Sequence, residues 1–228
     1  FLAERDLVVM LLLDRSPSMF FSSLAKKKEE IQVTLAGLLA LSVLLKNNEV
    51  GLIGFTDRIE TYIPPQRGRA QLWKIIDALL VEPQGQGTNL KCALECLAGA
   101  TRQVASNKRN LVFIISDFFI APEEFQLLRY VKKHHDLVPI IIEDRRELEL
   151  PRGRGLVRLQ DMETGEILLW DAVRDPEVFS ALMQKWKKIR QETLSDLGLD
   201  YLVFTTEEDA YVEKINPLFW RRRTRRAG

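Results

Sequence analysis

An unbroken apolar run, Val8-Val9-Met10-Leu11-Leu12-Leu13, ends in Asp14 and is followed by hydroxyls at Ser16 and Ser18. Consecutive apolar side chains cannot alternate between core and solvent, so the run predicts a strand buried on both faces. Such strands occur in parallel sheets covered by helices on each side, which restricts the chain to an α/β architecture. Ligands of open α/β sheets bind beyond the carboxyl ends of the strands, where Asp14 falls. A turn there can aim three oxygens at one point, and hard divalent cations such as magnesium take oxygen ligands. Read alone, the same residues also fit a helix cap or an Asx turn.

The rest of the chain alternates as that architecture requires. Ala25 to Lys46 predicts a helix with Ile31, Leu35, Leu38, Leu39, Ser42 and Leu45 on its inner face. Val50 to Phe55 is a second buried strand, and Ile59 to Ile63 an edge strand stopped by Pro64-Pro65. Helices follow over Ala70 to Leu80 and Asn89 to Ala105, then a strand over Leu111 to Ser116. Pro122 to Lys133 reads as a helix with proline in its first turn, and Leu137 to Ile142 as a strand. Pro176 to Leu197 is a long amphipathic helix with Phe179, Leu182, Met183, Trp186 and Ile189 inward. Leu199 to Phe204 closes the sheet, and Glu207 to Ile215 gives a last short helix. The expected fold is a Rossmann-like doubly wound, mostly parallel sheet with one antiparallel edge strand and helices on both faces.

Composition excludes several functional classes. The chain has 228 residues, 46% hydrophobic and 29% charged, enough to bury one sizeable core. Its net charge of +1 provides no global field for nucleic acid. No apolar run approaches the ~20 residues of a membrane helix. Phe1 is not an initiator methionine and no secretory segment is visible, so sequence upstream is expected, which could carry a membrane tether. Two cysteines, Cys92 and Cys96, exclude a disulfide scaffold, favour a cytoplasmic location and read as buried structural thiols.

Leu111-Val112-Phe113-Ile114-Ile115-Ser116 repeats the opening pattern, a buried strand ending in a carboxylate, Asp117. Between the two strands, Gly85-Gln86-Gly87-Thr88-Asn89-Leu90 delivers a hydroxyl from a flexible loop just before a helix. These residues resemble the von Willebrand factor A-type domain and its metal-ion-dependent adhesion site, written D-x-S-x-S, a loop threonine, then an aspartate after a later strand. Asp14, Ser16, Ser18, Thr88 and Asp117 match all five positions in order. The resemblance implies a magnesium ion, with manganese or calcium as substitutes, and an open position filled by a partner's carboxylate. It further implies that Ser16 and Ser18 bind directly, that Thr88 depends on conformation, and that Asp14 and Asp117 anchor water or metal. Pro17 should stiffen the hydroxyl-bearing loop by fixing its own φ.

Glu147 to Trp170 departs from simple alternation. Val157-Arg158-Leu159 and Ile167-Leu168-Leu169 flank Asp161-Met162-Glu163-Thr164-Gly165-Glu166, a hairpin-turn composition. The run E-L-E-L-P, a glycine-rich step, then D-x-E-T-G-E resembles the prokaryotic family called domain of unknown function fifty-eight. That resemblance covers about residues 1–206. It implies a protein partner, a MoxR-type AAA+ ATPase or its client, in assembly or metal insertion. The expected organisation is one A-like domain over 1–216, with the insert at 147–170, and a disordered basic tail over 217–228.

The rival reading is a magnesium-dependent phosphohydrolase or nuclease using Asp14 and Asp117. Against it, Ser16 stands where haloacid-dehalogenase-like phosphatases want a second aspartate, and no Walker A loop or G-x-G-x-x-G is present. His134-His135 reads as a helix cap, Asp57 as a solvated loop aspartate, and the arginines of 221–226 as a solvated end.

Overall fold

The computed structural model describes residues 7–21, 26–103, 109–149, 155–171, 176–215 and 217. The elements in chain order are β1 (Val8–Asp14), a 3-10 turn (Pro17–Phe20), α1 (Lys28–Leu44), β2 (Glu49–Phe55), β3 (Ile59–Gln66), α2 (Arg69–Leu80), α3 (Leu90–Gln103), β4 (Leu111–Ser116), α4 (Pro122–Lys132), β5 (Asp136–Glu143), α5 (Arg145–Leu148), β6 (Leu156–Gln160), β7 (Ile167–Asp171), α6 (Pro176–Asp196) and β8 (Leu202–Thr205). Six strands form one sheet in the order β3-β2-β1-β4-β5-β8. All neighbours are parallel except β2 with β3, the antiparallel edge pair. The hairpin β6–β7 forms a separate two-stranded sheet.

The apolar strand runs bury both faces, as their lack of alternation requires. Val9, Leu11 and Leu13 of β1 pack with Ile31, Leu35 and Leu39 of α1 and Ile75 of α2 on one face. Met10 and Leu12 pack with Leu90, Leu94 and Leu97 of α3, Leu128 of α4 and Leu194 of α6 on the other. The chain leaves β1 toward β2 on one side, and later returns past β1 to place β4 on the other. The carboxyl ends of β1 and β4 therefore form a topological switch point, where doubly wound sheets open a crevice.

Several elements differ from the sequence reading. β3 runs through Pro64-Pro65 to Gln66, because it lies on the sheet edge and its register shifts between Val50 and Leu52. The Gln71 side chain donates to the Val50 and Pro64 carbonyls, each at 2.8 Å, and so satisfies that irregular stretch. β8 begins at Leu202, although Leu199 is buried. On α1, Leu38 and Ser42 are half-buried and Leu45 is exposed, while Gln32, Ala36, Ala40 and Val43 join the inner face. The inner line of α6 passes through Trp186, Arg190 and Leu194, leaving Leu182 and Ile189 exposed. Arg190 explains the difference: its charge reads as outward, yet it is inserted between Asp117 and Glu143. The short helix near the end spans residues 211–215 in place of a start at Glu207. The Arg-rich tail over 218–228 and the proline-glycine step at 150–154 lie outside the described residues.

Candidate metal centre

At the end of β1, Asp14 and Ser16 are fully buried and Ser18 is half-buried. Pro17 opens the 3-10 turn, and Ser16 before it is extended at ψ 160°, the conformation a following proline imposes. The Ser16 N–H donates to Asp14 Oδ1 at 2.9 Å, and the Ser16 and Ser18 hydroxyls lie 3.0 Å apart. From β4, Ser116 donates its hydroxyl to Asp14 Oδ2 at 2.6 Å. Gln32 on α1 donates to the Asp14 carbonyl at 2.7 Å and to the Ile115 carbonyl at 3.2 Å, clamping the two strand ends together.

Asp117 follows β4, and Phe118 after it has φ 56°, a left-handed conformation that is strained for a bulky residue. The reversal brings the Phe119 N–H to Asp117 Oδ1 at 3.1 Å. Lys28, fully buried on α1, donates to Asp117 Oδ2 at 2.8 Å and to Glu147 Oε1 at 2.5 Å. Glu147 sits on α5, a single turn closed by a capping box with Asp144. Behind Asp117, Arg190 donates to its carbonyl at 2.7 Å, lies 4.6 Å over the Trp186 ring and pairs with Glu143. Trp186 stacks on Phe119 at 4.1 Å, so α6 braces the strand end from outside.

The third segment is the loop before α3. Glu60 of β3 accepts from the Gln84 and Gly85 N–H groups at 3.2 and 2.8 Å and from the Thr56 hydroxyl at 2.7 Å. A Cβ at Gly85 would lie 1.9 Å from Thr56 Oγ1 and 2.1 Å from Asp57 Oδ1, so only glycine fits there. Asn89 then caps α3, accepting from the Cys92 N–H at 3.1 Å. Between these anchors Thr88 is half-buried, and both its N–H and its hydroxyl donate to the Glu163 carboxylate of the β6–β7 turn.

Electrostatics at the site are unbalanced. Burial first, and then the Asp117 charge, push the Asp14 carboxyl up to about 7, although hydrogen bonds from Ser116 and Ser16 pull it down. Burial also raises Glu147 to about 7, against the pull of Lys28. Burial works against the Lys28 ammonium, yet Asp117 and Glu147 outweigh it and hold its pKa above the usual lysine value. Lys28 is thus shared between Asp117 and Glu147, with the Arg190 charge also acting on Asp117, while among the described residues Asp14 is held by hydrogen-bond donors that carry no charge.

All five residues picked out in the sequence gather around the carboxyl ends of β1 and β4. Asp14, Ser16, Ser18 and Asp117 are joined directly by hydrogen bonds or charge. Thr88 is joined through Glu163, whose carboxylate feels the Asp117 charge. Among the described residues no three His, Cys, Asp or Glu cluster at metal-binding spacing, so a cation here has to draw on the hydroxyls. The donor set fits a hard cation: two carboxylates and three hydroxyls, with Asp14 fully buried and held only by uncharged donors among the described residues. Sequence reasoning missed Lys28, Ser116, Glu147 and Glu163. Ser116 precedes Asp117 at a strand end and was open to inspection, whereas Lys28 carries no signal of burial.

Cys92 and Cys96 are half-buried rather than fully buried, packed against the α3 side of the core. Asp57 is exposed and paired with Arg58. His135 is buried and its Nδ1 has no hydrogen-bond partner among the described residues, so it does not cap α4 through that atom.

The sheet order, the helices on both faces and the hydroxyl-bearing turn after β1 define a von Willebrand A-like fold. The SpRpn10 VWA domain superimposes with a TM-score of 0.55 at 13% identity, over 92% of this chain and 94% of that one. The conserved hypothetical protein BatB from Bacteroides thetaiotaomicron gives a TM-score of 0.64 at 16% identity, over 96% and 99%. An aerotolerance-related membrane protein from Bacteroides fragilis gives 0.63 at 16% identity, over 92% and 97%. The chain belongs to the family described as protein of unknown function DUF58, which matches residues 1–192. It is also 27% identical over 233 residues to an uncharacterized protein of Mycobacterium tuberculosis, covering all of this chain and 71% of that protein. Among the described residues no helix is long and apolar enough to cross a membrane.

Proposed function

We propose that this chain is a metal-dependent protein-interaction module. In this reading Asp14, Ser16, Ser18, Thr88 and Asp117 hold magnesium, with manganese or calcium as substitutes, and the metal accepts a carboxylate from a partner protein. The bound ion would supply a positive charge with an exchangeable position, to which charge-assisted contacts are the strong ones. The observation that carries the reading is the pair of hydroxyls 3.0 Å apart beside a fully buried Asp14 that lacks a cation of its own. The partner we assign is a MoxR-type AAA+ ATPase or its client, in assembly or metal insertion, and the place of action is the cytoplasm, free or tethered by sequence outside this chain.

Lys28 departs from a site of oxygens alone. It satisfies one oxygen of Asp117, which leaves Asp14 and the hydroxyls as the face with unspent capacity for a cation. The test is a pulldown with a MoxR-type ATPase encoded beside this chain. Binding is expected to vanish with EDTA and return with magnesium, and Thr88→Ala should weaken partner binding more than metal binding. Binding indifferent to EDTA would contradict the reading. Phosphoester hydrolysis abolished by Asp14→Asn would replace it with the phosphohydrolase or nuclease alternative.

A further inference from the structure

The β6–β7 turn is built to present one carboxylate. Asp161 Oδ1 accepts from the Glu163 and Thr164 N–H groups at 2.8 and 3.0 Å, its carbonyl accepts from Gly165 at 2.9 Å, and Gly165 takes φ 74°. These bonds fix a tight loop in which Glu163 alone among 161–166 is not exposed. Its two oxygens receive both donors of Thr88, one from the N–H at 3.3 Å and one from the hydroxyl. A Cβ added at Gly87 would lie 3.8 Å from Glu163 Oε2, an ordinary contact distance, so the carboxylate packs close against the loop without crowding it. The hairpin is held from behind by Trp170, whose ring meets Phe179 of α6 edge-on at 6.1 Å.

Such an arrangement is costly as it stands. Glu163 is brought toward Asp117 with Asp161 also near, and none of the hydrogen bonds it accepts comes from a cation. Like charges gathered at one rim repel, and a divalent ion among them converts the repulsion into attraction. A threonine hydroxyl that gives its proton to a carboxylate keeps its lone pairs free for a metal.

We propose that Glu163 is the site's own carboxylate, an intramolecular occupant that a partner's acidic residue must displace. This rests on the metal-dependent reading above and adds its regulation. With the hairpin docked, Thr88 is engaged from within the chain; with a partner present, the hairpin swings off and the partner takes its place. The apparent affinity of the partner is then lowered by the fraction of molecules in the docked state.

The test uses magnesium alone, then magnesium with millimolar N-acetylglutamate amide as a carboxylate probe. Calorimetry follows magnesium binding, and amide hydrogen exchange follows Thr88 and residues 156–171, in wild type, Glu163→Ala and Glu163→Gln. Magnesium is expected to slow exchange of the Thr88 and hairpin amides roughly tenfold in wild type and not in Glu163→Ala. The probe should reverse that protection in wild type and bind more tightly to both variants. Loss of magnesium binding from Glu163→Ala would overturn the proposal, since Glu163 would then be a required ligand that no partner could displace. Magnesium bound by all three proteins with unchanged hairpin exchange would overturn it and leave the metal reading standing. A probe that binds wild type and variants equally would overturn the competition. If no protein binds magnesium, calorimetry shows that the metal reading itself has failed, and the proposal falls with it.

Discussion

Asp14 determines how the site responds to pH. A carboxyl raised from 3.8 to about 7 binds its proton more tightly in the folded chain than in the unfolded one. Its contribution to stability is therefore complete below about pH 4 and is lost as pH rises through 7, on the order of 4 kcal/mol for a shift of this size. Without metal, thermal melts should show the protein less stable at pH 7.5 than at pH 5, and magnesium should restore stability at the higher pH. In Asp14→Asn the slope should shrink. A flat profile in wild type would contradict the assignment of Asp14 as an uncompensated buried acid. Lys28 makes the converse case. Lys28→Met removes the ammonium that buried Asp117 and half-buried Glu147 share, and urea unfolding should show a loss of about 3–5 kcal/mol, partly recovered by magnesium. No loss would mean that the buried pairing contributes nothing.

At the scale of elements, the loop from Gln84 to Thr88 is anchored through Gln84 and Gly85, and at Gly85 the contacts leave no space for a side chain. Gly85→Ala pushes a methyl into Thr56 and Asp57, so the loop must move; a cost of ~1–3 kcal/mol is expected, with Thr88 displaced and magnesium affinity reduced. Chemical denaturation and calorimetry on the same sample check both. The strands and their ends were legible because unbroken apolar runs of five or six residues admit few alternatives; Asp14 directly follows one of them, and Asp117 follows another after Ser116. What escaped has physical causes. Pro64-Pro65 reads as a stop, yet an edge strand tolerates missing donors, and the Gln71 amide satisfies two carbonyls there. Arg190 and Lys28 read as surface charges, and only the fold shows that each is buried against a carboxylate from a distant segment. α5 is a single turn, too short for a periodic signal, although its Asp144–Glu147 capping spacing was present in the chain. Glu163 looked like hairpin composition; its role depends on where the turn lands, which no local pattern encodes.

For the whole molecule, the doubly wound order places the ends of β1 and β4 side by side, and the loop before α3 and the hairpin converge on them from other parts of the chain. Chemistry at such a switch point is assembled from segments far apart in sequence, beyond the carboxyl ends of the strands. The proposed function depends on this convergence binding a hard cation. Titration of magnesium into wild type, Asp14→Ala and Ser16→Ala by calorimetry, with circular dichroism verifying that each stays folded, tests it most directly. One equivalent of magnesium bound by wild type and none by either folded variant is the predicted result; equal affinity in all three, or no binding by wild type, would contradict it.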